Sequence, residues 1–250
     1  MKYSIRTPLA VSLVALLAAC SQPDDSATPH NELSGAAVEA ARAAQAEQSE
    51  SERLYAWFDE VFEANLARSP MYQTYLGRKT DYDRWNDASP EFEAESYEIG
   101  QANLAHMREN FDFDALDESA QLSWRLFEYD AERSEAGWRW RDHGYTFTPR
   151  SGPHMNTPTF LINNHRVDTL SDAEAYIARL EGMGDYLDQN IANSRRSAEL
   201  GILTPRWTYD PMIATARNVI TGAPFDDSGE DSPLMADFRG KVETLDIDQA

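Results

Sequence analysis

The sequence predicts an all-α protein, mainly helical, with one irregular loop around residues 141–166. Two observations carry this. Apolar residues recur three and four positions apart through most of residues 51–250, the spacing that places them on one helix face. The same stretches are punctuated as helices are, with Ser, Thr or Asp and often Pro at their starts and Gly at their ends.

In the first helix Leu54, Trp57, Phe58, Val61, Phe62 and Leu66 form one stripe, which stops before Ser69-Pro70. A shorter turn, Met71 to Leu76, ends at Gly77, and Lys79 to Asn86 is a polar loop holding Tyr82 and Trp85. Ser89-Pro90-Glu91 has the cap, first-turn proline and early acid of a helix start. Its helix turns Phe92, Ile99, Asn103 and Met107 inward and runs to about Glu109. A third helix begins near Asp117 and reaches Trp138, with Leu122, Leu126 and Tyr129 in one row and Trp124, Phe127 and Ala131 beside it. That apolar load predicts burial on more than one side.

Between Arg141 and Arg166 the pattern breaks, because Gly144, Pro149, Gly152, Pro153 and Pro158 oppose a regular helix. A long ordered loop or a pair of short strands is expected, and long loops in compact domains tend to carry function. Helical spacing returns at Ser171-Asp172-Ala173-Glu174, which reads as a capping box, and continues through Tyr176, Ile177, Leu180, Met183, Leu187 and Ile191 to Gly201. Asp210-Pro211 opens another helix, with Met212, Ile213, Ala216, Val219 and Ile220 inside and Gly222 as its stop. Asp226 to Ser232 is an acidic loop, and Pro233 to Leu245 is one more helix. Asp246 to Ala250 reads as the capped start of a further helix, so the natural chain is expected to continue.

The N-terminus has a different character. Lys2 and Arg6 precede an uncharged apolar stretch, Pro8 to Ala19, which is a signal-peptide layout and falls short of the roughly 20 residues that span a bilayer. It ends in Leu17-Ala18-Ala19-Cys20, which resembles a bacterial lipobox, and Cys20 is the one cysteine in the chain. With no second thiol to pair with, its use is attachment. The expected organisation is a signal peptide at 1–19, a lipidated flexible tether at 20–50 and a helical domain at 51–250. Acyl chains on Cys20 would hold the exported protein at the membrane without a spanning helix. Ser21 in the next position, rather than aspartate, favours the outer membrane, on its periplasmic side.

The chain carries 43 acidic and 22 basic residues, a net charge of −21, made more negative by removal of Lys2 and Arg6. Nucleic-acid binding leaves a basic footprint, so no nucleic-acid partner is expected. Acidic surfaces also keep exported proteins soluble.

Zinc peptidases place two histidines one helical turn apart with a glutamate between them, and no two of His30, His106, His143, His154 and His165 are so spaced. His106 and Glu109 share a helix face, a common surface pairing. His143, His154 and His165 gather in the irregular segment, where their flanks Asp142-His143-Gly144 and Asn164-His165-Arg166 read as turns rather than as a metal site. Ser151 and His154 lack the glycine-flanked elbow of a nucleophile. These residues make no self-sufficient active site, and hydrolysis by this chain alone is not expected.

A combination of short pieces resembles a known family. It comprises Tyr145-Thr146-Phe147, Ser151-Gly152-Pro153-His154, Pro158-Thr159-Phe160-Leu161 and His165, then Ala175-Tyr176-Ile177-Ala178-Arg179-Leu180, Tyr186-Leu187-Asp188-Gln189 and Gly201-Ile202-Leu203-Thr204-Pro205. Phe62 to Pro70 and Tyr75-Leu76-Gly77 add to it. Order and spacing resemble the N-terminal half of the bacterial domain-of-unknown-function family 885, many of whose members are exported lipoproteins. The resemblance implies an N-terminal lobe of a larger, helical, metallopeptidase-like protein whose histidine-glutamate-histidine motif lies beyond Ala250. Zinc is then implied for the longer protein and no metal ligand or catalytic base for this chain. It further implies one wall of a peptide-binding cleft, with His154, Asn156 and Arg206 as candidates to face a peptide substrate. Purely structural packing of the proline-rich loop is the competing account. The alternative for the whole is a non-enzymatic helical lipoprotein that binds an envelope partner.

Overall fold

Residues 48–245 are described by the computed structural model. The expected leader at 1–19, Cys20, most of the expected tether at 20–50 and the expected helix start at Asp246 lie outside them. The described residues form eight α-helices and no strand: α1 Glu50–Ala67, α2 Pro70–Tyr75, α3 Pro90–Asn110, α4 Glu118–Trp138, α5 Pro153–Asn164, α6 Leu170–Glu199, α7 Tyr209–Val219 and α8 Pro233–Val242. None of these helices is long and apolar enough to cross a membrane.

Local chemistry sets most boundaries. Ser49 and Glu52 form a reciprocal capping box at the start of α1, and Ser89 and Asp117 accept from the Phe92 and Ala120 amides at the starts of α3 and α4. Each such cap contributes about 1 kcal/mol. Gly77 and Gly201, both with positive φ, end α2 and α6 in the conformation glycine adopts without strain.

The helices enclose two apolar cores. In the first, α1, α3 and α4 bury Leu54, Leu104, Met107, Ala120 and Trp124 together with Leu116 of the connecting turn, and Trp57, Phe58, Phe111 and Phe127 pack around them. Burying each of the larger side chains contributes about 1.5–3 kcal/mol. In the second, Phe160 and Leu161 of α5 meet Ala173 and Tyr176 of α6, with Val167 between the two helices. Met71, Trp85, Leu234 and Phe238 close that core from α2, the following loop and α8.

Three expectations are corrected. The 141–166 stretch is not irregular throughout: its second part is α5, with Pro153 in the first turn and Pro158 inside the helix. Pro158 has no N–H to give the His154 carbonyl, and burial of Phe160 and Leu161 outweighs that loss. The capping box of α6 starts two residues earlier than expected, with Thr169 as cap and Asp172 as its partner. Asp172 wins because its carboxylate also accepts from the Asp168 amide and from Lys79 Nζ, at 3.0 and 2.8 Å. On α4, Leu122, Leu126 and Tyr129 are exposed, while the neighbouring row of Trp124, Phe127 and Ala131 faces the core.

Candidate functional site

A cleft opens where the chain leaves α4. Arg141–His143 makes one short 3-10 turn, anchored by Arg196 of α6, whose Nη2 lies 2.9 Å from Asp142 Oδ1. Gly144 is extended, and the chain runs without helical turns through Tyr145, Thr146 and Phe147. Thr148 then closes a tight turn, its N–H donating to the Ser151 carbonyl at 2.8 Å and its Oγ1 accepting from the Ser151 amide at 3.0 Å. Gly152 follows with φ +146°; a Cβ there would stand 2.9 Å from both the Thr146 carbonyl oxygen and His154 Nδ1. Only glycine lets the chain turn into α5 at this point.

The Gly144–Thr146 segment separates two pockets and lines both. One, of about 280 Å³, is mainly apolar and is walled by Phe147, His154, Ile202, Met212 and Ile213. The other, of about 500 Å³, is polar and is walled by Ser89, Glu93, Arg141, Asn193 and Arg196. Each contains a side chain with unused hydrogen-bonding capacity. Both ring nitrogens of His154 are buried and make no hydrogen bond, and the ring leans against Phe147 with centroids 5.7 Å apart. Burial lowers the His154 pKa, so the ring stands neutral at pH 7, one nitrogen a donor and the other an acceptor. Across the segment, Asn193 Nδ2 donates to the Ala88 carbonyl at 2.8 Å while its buried Oδ1 has no partner. Most buried polar groups in folded proteins are paired; among the described residues Thr157 Oγ1 of α5 is also buried and unpaired, and it lines neither pocket.

The three candidate residues are placed differently. His154 lines the apolar pocket. Asn156 is exposed on the next turn of α5, its Nδ2 3.5 Å from Ser151 Oγ, and lines neither pocket. Arg206 is exposed in a 3-10 turn, Arg206–Thr208, whose neighbours Thr204 and Tyr209 border the apolar pocket while it does not.

A second polar centre lies inside the other core and went unrecognised in the sequence. Arg179 of α6 is 0% exposed, and among the described residues no carboxylate pairs with its guanidinium. Its Nη1 donates to His165 Nδ1 at 2.9 Å, Nη2 to Thr74 Oγ1 at 2.8 Å and Nε to the Arg84 carbonyl at 3.1 Å. The Phe160 and Tyr82 rings lie 4.9 and 5.0 Å from its central carbon, supplying cation–π attraction in place of an anion. Burial lowers its pKa to about 10, which leaves it charged at pH 7. Since a guanidinium can only donate, His165 Nδ1 is an acceptor, and Nε2–H donates to the Asp172 carbonyl at 2.9 Å. Burial drives the His165 pKa down to about 4. Burial also works against the Asp172 carboxylate, yet Lys79 and the Asp168 and Thr169 groups together hold its pKa below the ordinary value.

The described residues do not fit a zinc centre. His165 has both nitrogens engaged, His143 is exposed with its ring edge-on to Trp140, and no three His, Cys, Asp or Glu side chains among the described residues are grouped to hold a metal ion. A third pocket, an apolar groove of about 470 Å³, runs between α6, α7 and α8 beside Leu180, Met183, Val219, Phe225 and Phe238.

No curated protein and no solved structure matches the chain. A family model does match, over residues 70–250, which takes in α2 to α8, the cleft and the Arg179 centre. That span is most of the sequence, and the chain belongs to the family described as bacterial protein of unknown function (DUF885).

Proposed function

We propose that this chain forms a substrate-binding helical lobe of a lipid-anchored, peptidase-like hydrolase on the periplasmic side of the outer membrane. Zinc and the catalytic side chains come from sequence outside these 250 residues. Two things support the reading: the family's resemblance to zinc metallopeptidases, and the signal-peptide and lipobox pattern ending at Cys20. The observation that carries it is the divided cleft. An apolar pocket and a polar pocket flank one non-helical segment, each with a buried polar atom left unpaired. That suits a ligand with alternating side chains and regularly spaced amides. Within such a cleft His154 and Asn193 bind and orient; the proton and water chemistry of hydrolysis lies elsewhere.

The test is peptide hydrolysis by the complete gene product, assayed with a panel of blocked peptides, with and without a chelator. Turnover that the chelator abolishes and zinc restores is the expected result, together with peptide binding but no turnover by Cys20–Ala250. Hydrolysis by Cys20–Ala250 that survives the chelator would overturn the division of labour. Failure of the complete product to cleave any peptide would sink the peptidase reading.

A further inference from the structure

Three consecutive cleft residues leave their main chain unused. Among the described residues, no N–H or C=O group of Tyr145, Thr146 or Phe147 makes a hydrogen bond, and since the Thr146 carbonyl is turned against Gly152, the groups open to a partner are those of Tyr145 and Phe147. The segment is nonetheless held in place. Asp142 and Arg196 pin it on one side, and the Thr148–Ser151 turn and Gly152 pin it on the other. Fixed backbone with free donors and acceptors is the template on which an incoming extended chain pairs.

We propose that Tyr145–Phe147 is a main-chain docking segment for an extended peptide, which hydrogen-bonds along it and sends alternate side chains into the two flanking pockets. This rests on the reading of the cleft as a peptide site and adds how the peptide is held. Successive side chains of an extended chain point to opposite sides, and the segment has a pocket on each side, one apolar and one polar. His154 lines one of those pockets and Asn193 the other, one on either side of the docked backbone. The chain bends at Thr146, so pairing is confined to two or three bonds. Main-chain pairing reads no side-chain identity, so selectivity resides in the pockets: a small or medium apolar residue on the His154 side, and a polar residue of either charge sign on the side lined by Arg141, Arg196, Glu93 and Asp142.

The probe is a blocked hexapeptide of alternating serine and leucine, added to the mature chain, with two N-methylated versions. One carries methyl groups on the serine amides and the other on the leucine amides. Methylation removes donors on one side of the extended chain at a time and leaves every side chain intact. Docking on Tyr145–Phe147 predicts that one version loses at least tenfold in affinity while the other stays within about twofold of the parent. The amides of Tyr145 and Phe147, which share the edge away from Gly152, should also gain protection from hydrogen exchange when the parent peptide is added, and that of Thr146 should not. If both methylated versions bind like the parent, the main-chain pairing is wrong and a side-chain-only peptide cleft remains. If the parent itself does not bind, the peptide cleft and the pairing fall together.

Discussion

The polar centre around Arg179 and the cleft beside His154 sit at opposite ends of α5, and they treat buried polar groups in opposite ways. At Arg179 every nitrogen of the guanidinium has a partner, and His165, Thr74 and the Asp172 carbonyl are joined to it across α2, the loop before α3, and α6. In the cleft the bonding is incomplete, with His154 and Asn193 each holding buried atoms that nothing pairs. Two histidines from one stretch of chain thus take different roles. Satisfied buried networks hold a fold together, whereas unsatisfied ones cost stability and persist where a ligand completes them.

The largest effect is expected at Arg179. Arg179→Ala strands His165 Nδ1 and the Arg84 carbonyl, leaves Thr74 Oγ1 with only its bond to the Pro70 carbonyl, and opens a cavity among Tyr82, Trp85 and Phe160. Unfolding in urea should show a loss of about 3–5 kcal/mol. Arg179→Lys should recover only part of it, since an ammonium lacks the three-way fork. A loss below about 1 kcal/mol for Arg179→Ala would mean that the network does not hold the second core, and the contrast with the cleft would collapse.

His165 supplies the next effect through pH. Its pKa falls from an ordinary 6.5 to about 4 on folding, so between these values the unfolded chain binds more protons than the folded one. The contribution is therefore fully present above pH 6.5 and is lost as pH falls towards 4, amounting to about 3 kcal/mol. Chemical denaturation at a series of pH values should show this slope, and His165→Gln should flatten it between pH 4 and 6.5. The Asp172 carboxylate, with its lowered pKa, acts in a separate window, below its ordinary value of 3.8. An unchanged slope in His165→Gln would assign the acid sensitivity to other groups.

Gly152 tests the cleft's scaffold. Gly152→Ala places a methyl group 2.9 Å from the Thr146 carbonyl oxygen and from His154 Nδ1, in a backbone conformation that alanine rarely adopts. A destabilisation of about 1–3 kcal/mol is expected, with a loss of peptide affinity that exceeds the loss at any substitution in the exposed Leu122, Leu126 and Tyr129 row. Equal affinity in Gly152→Ala and the native chain would show that the segment's position does not matter to binding.

Much of this architecture was legible in the sequence. The N-caps Ser89 and Asp117 and the stops at Gly77 and Gly201 could be read because one residue's chemistry decides each of them. α5 could not, since Pro158 opposes a helix locally and only the burial of Phe160 and Leu161 against α6 reverses the balance. On α4 two adjacent apolar rows compete, and periodicity gives no ground for choosing Trp124, Phe127 and Ala131 over Leu122, Leu126 and Tyr129. At α6 two overlapping capping boxes were present in the sequence; Lys79, distant in the chain, decides for Asp172. Arg179 did leave a signal: it falls on the inner stripe between Tyr176 and Met183, and a charge on a buried stripe calls for partners. Those partners, Thr74 and Arg84, are more than ninety residues away in sequence, and only the fold brings them in. His154 is legible because it falls where glycines and prolines break the helical pattern, while Asn193, on a regular helix, carries no such mark in the sequence.

The smallest effect on stability, and the sharpest on the comparison, belongs to His154. Phenylalanine is close to the imidazole in shape and carries no polar atoms, so His154→Phe removes two buried unpaired nitrogens without emptying the space beside Phe147. Replacing unsatisfied polar atoms by apolar ones of similar shape is neutral or favourable. The variant should therefore unfold within about 1 kcal/mol of the native chain, or above it, while its affinity for a blocked peptide drops about tenfold, as for one lost hydrogen bond. This is the reverse of Arg179→Ala, where stability goes and the cleft's own groups are untouched. If His154→Phe instead destabilised the chain by several kcal/mol with peptide binding intact, His154 would be a structural residue like His165, and the division between a bonded core and an open cleft would not hold.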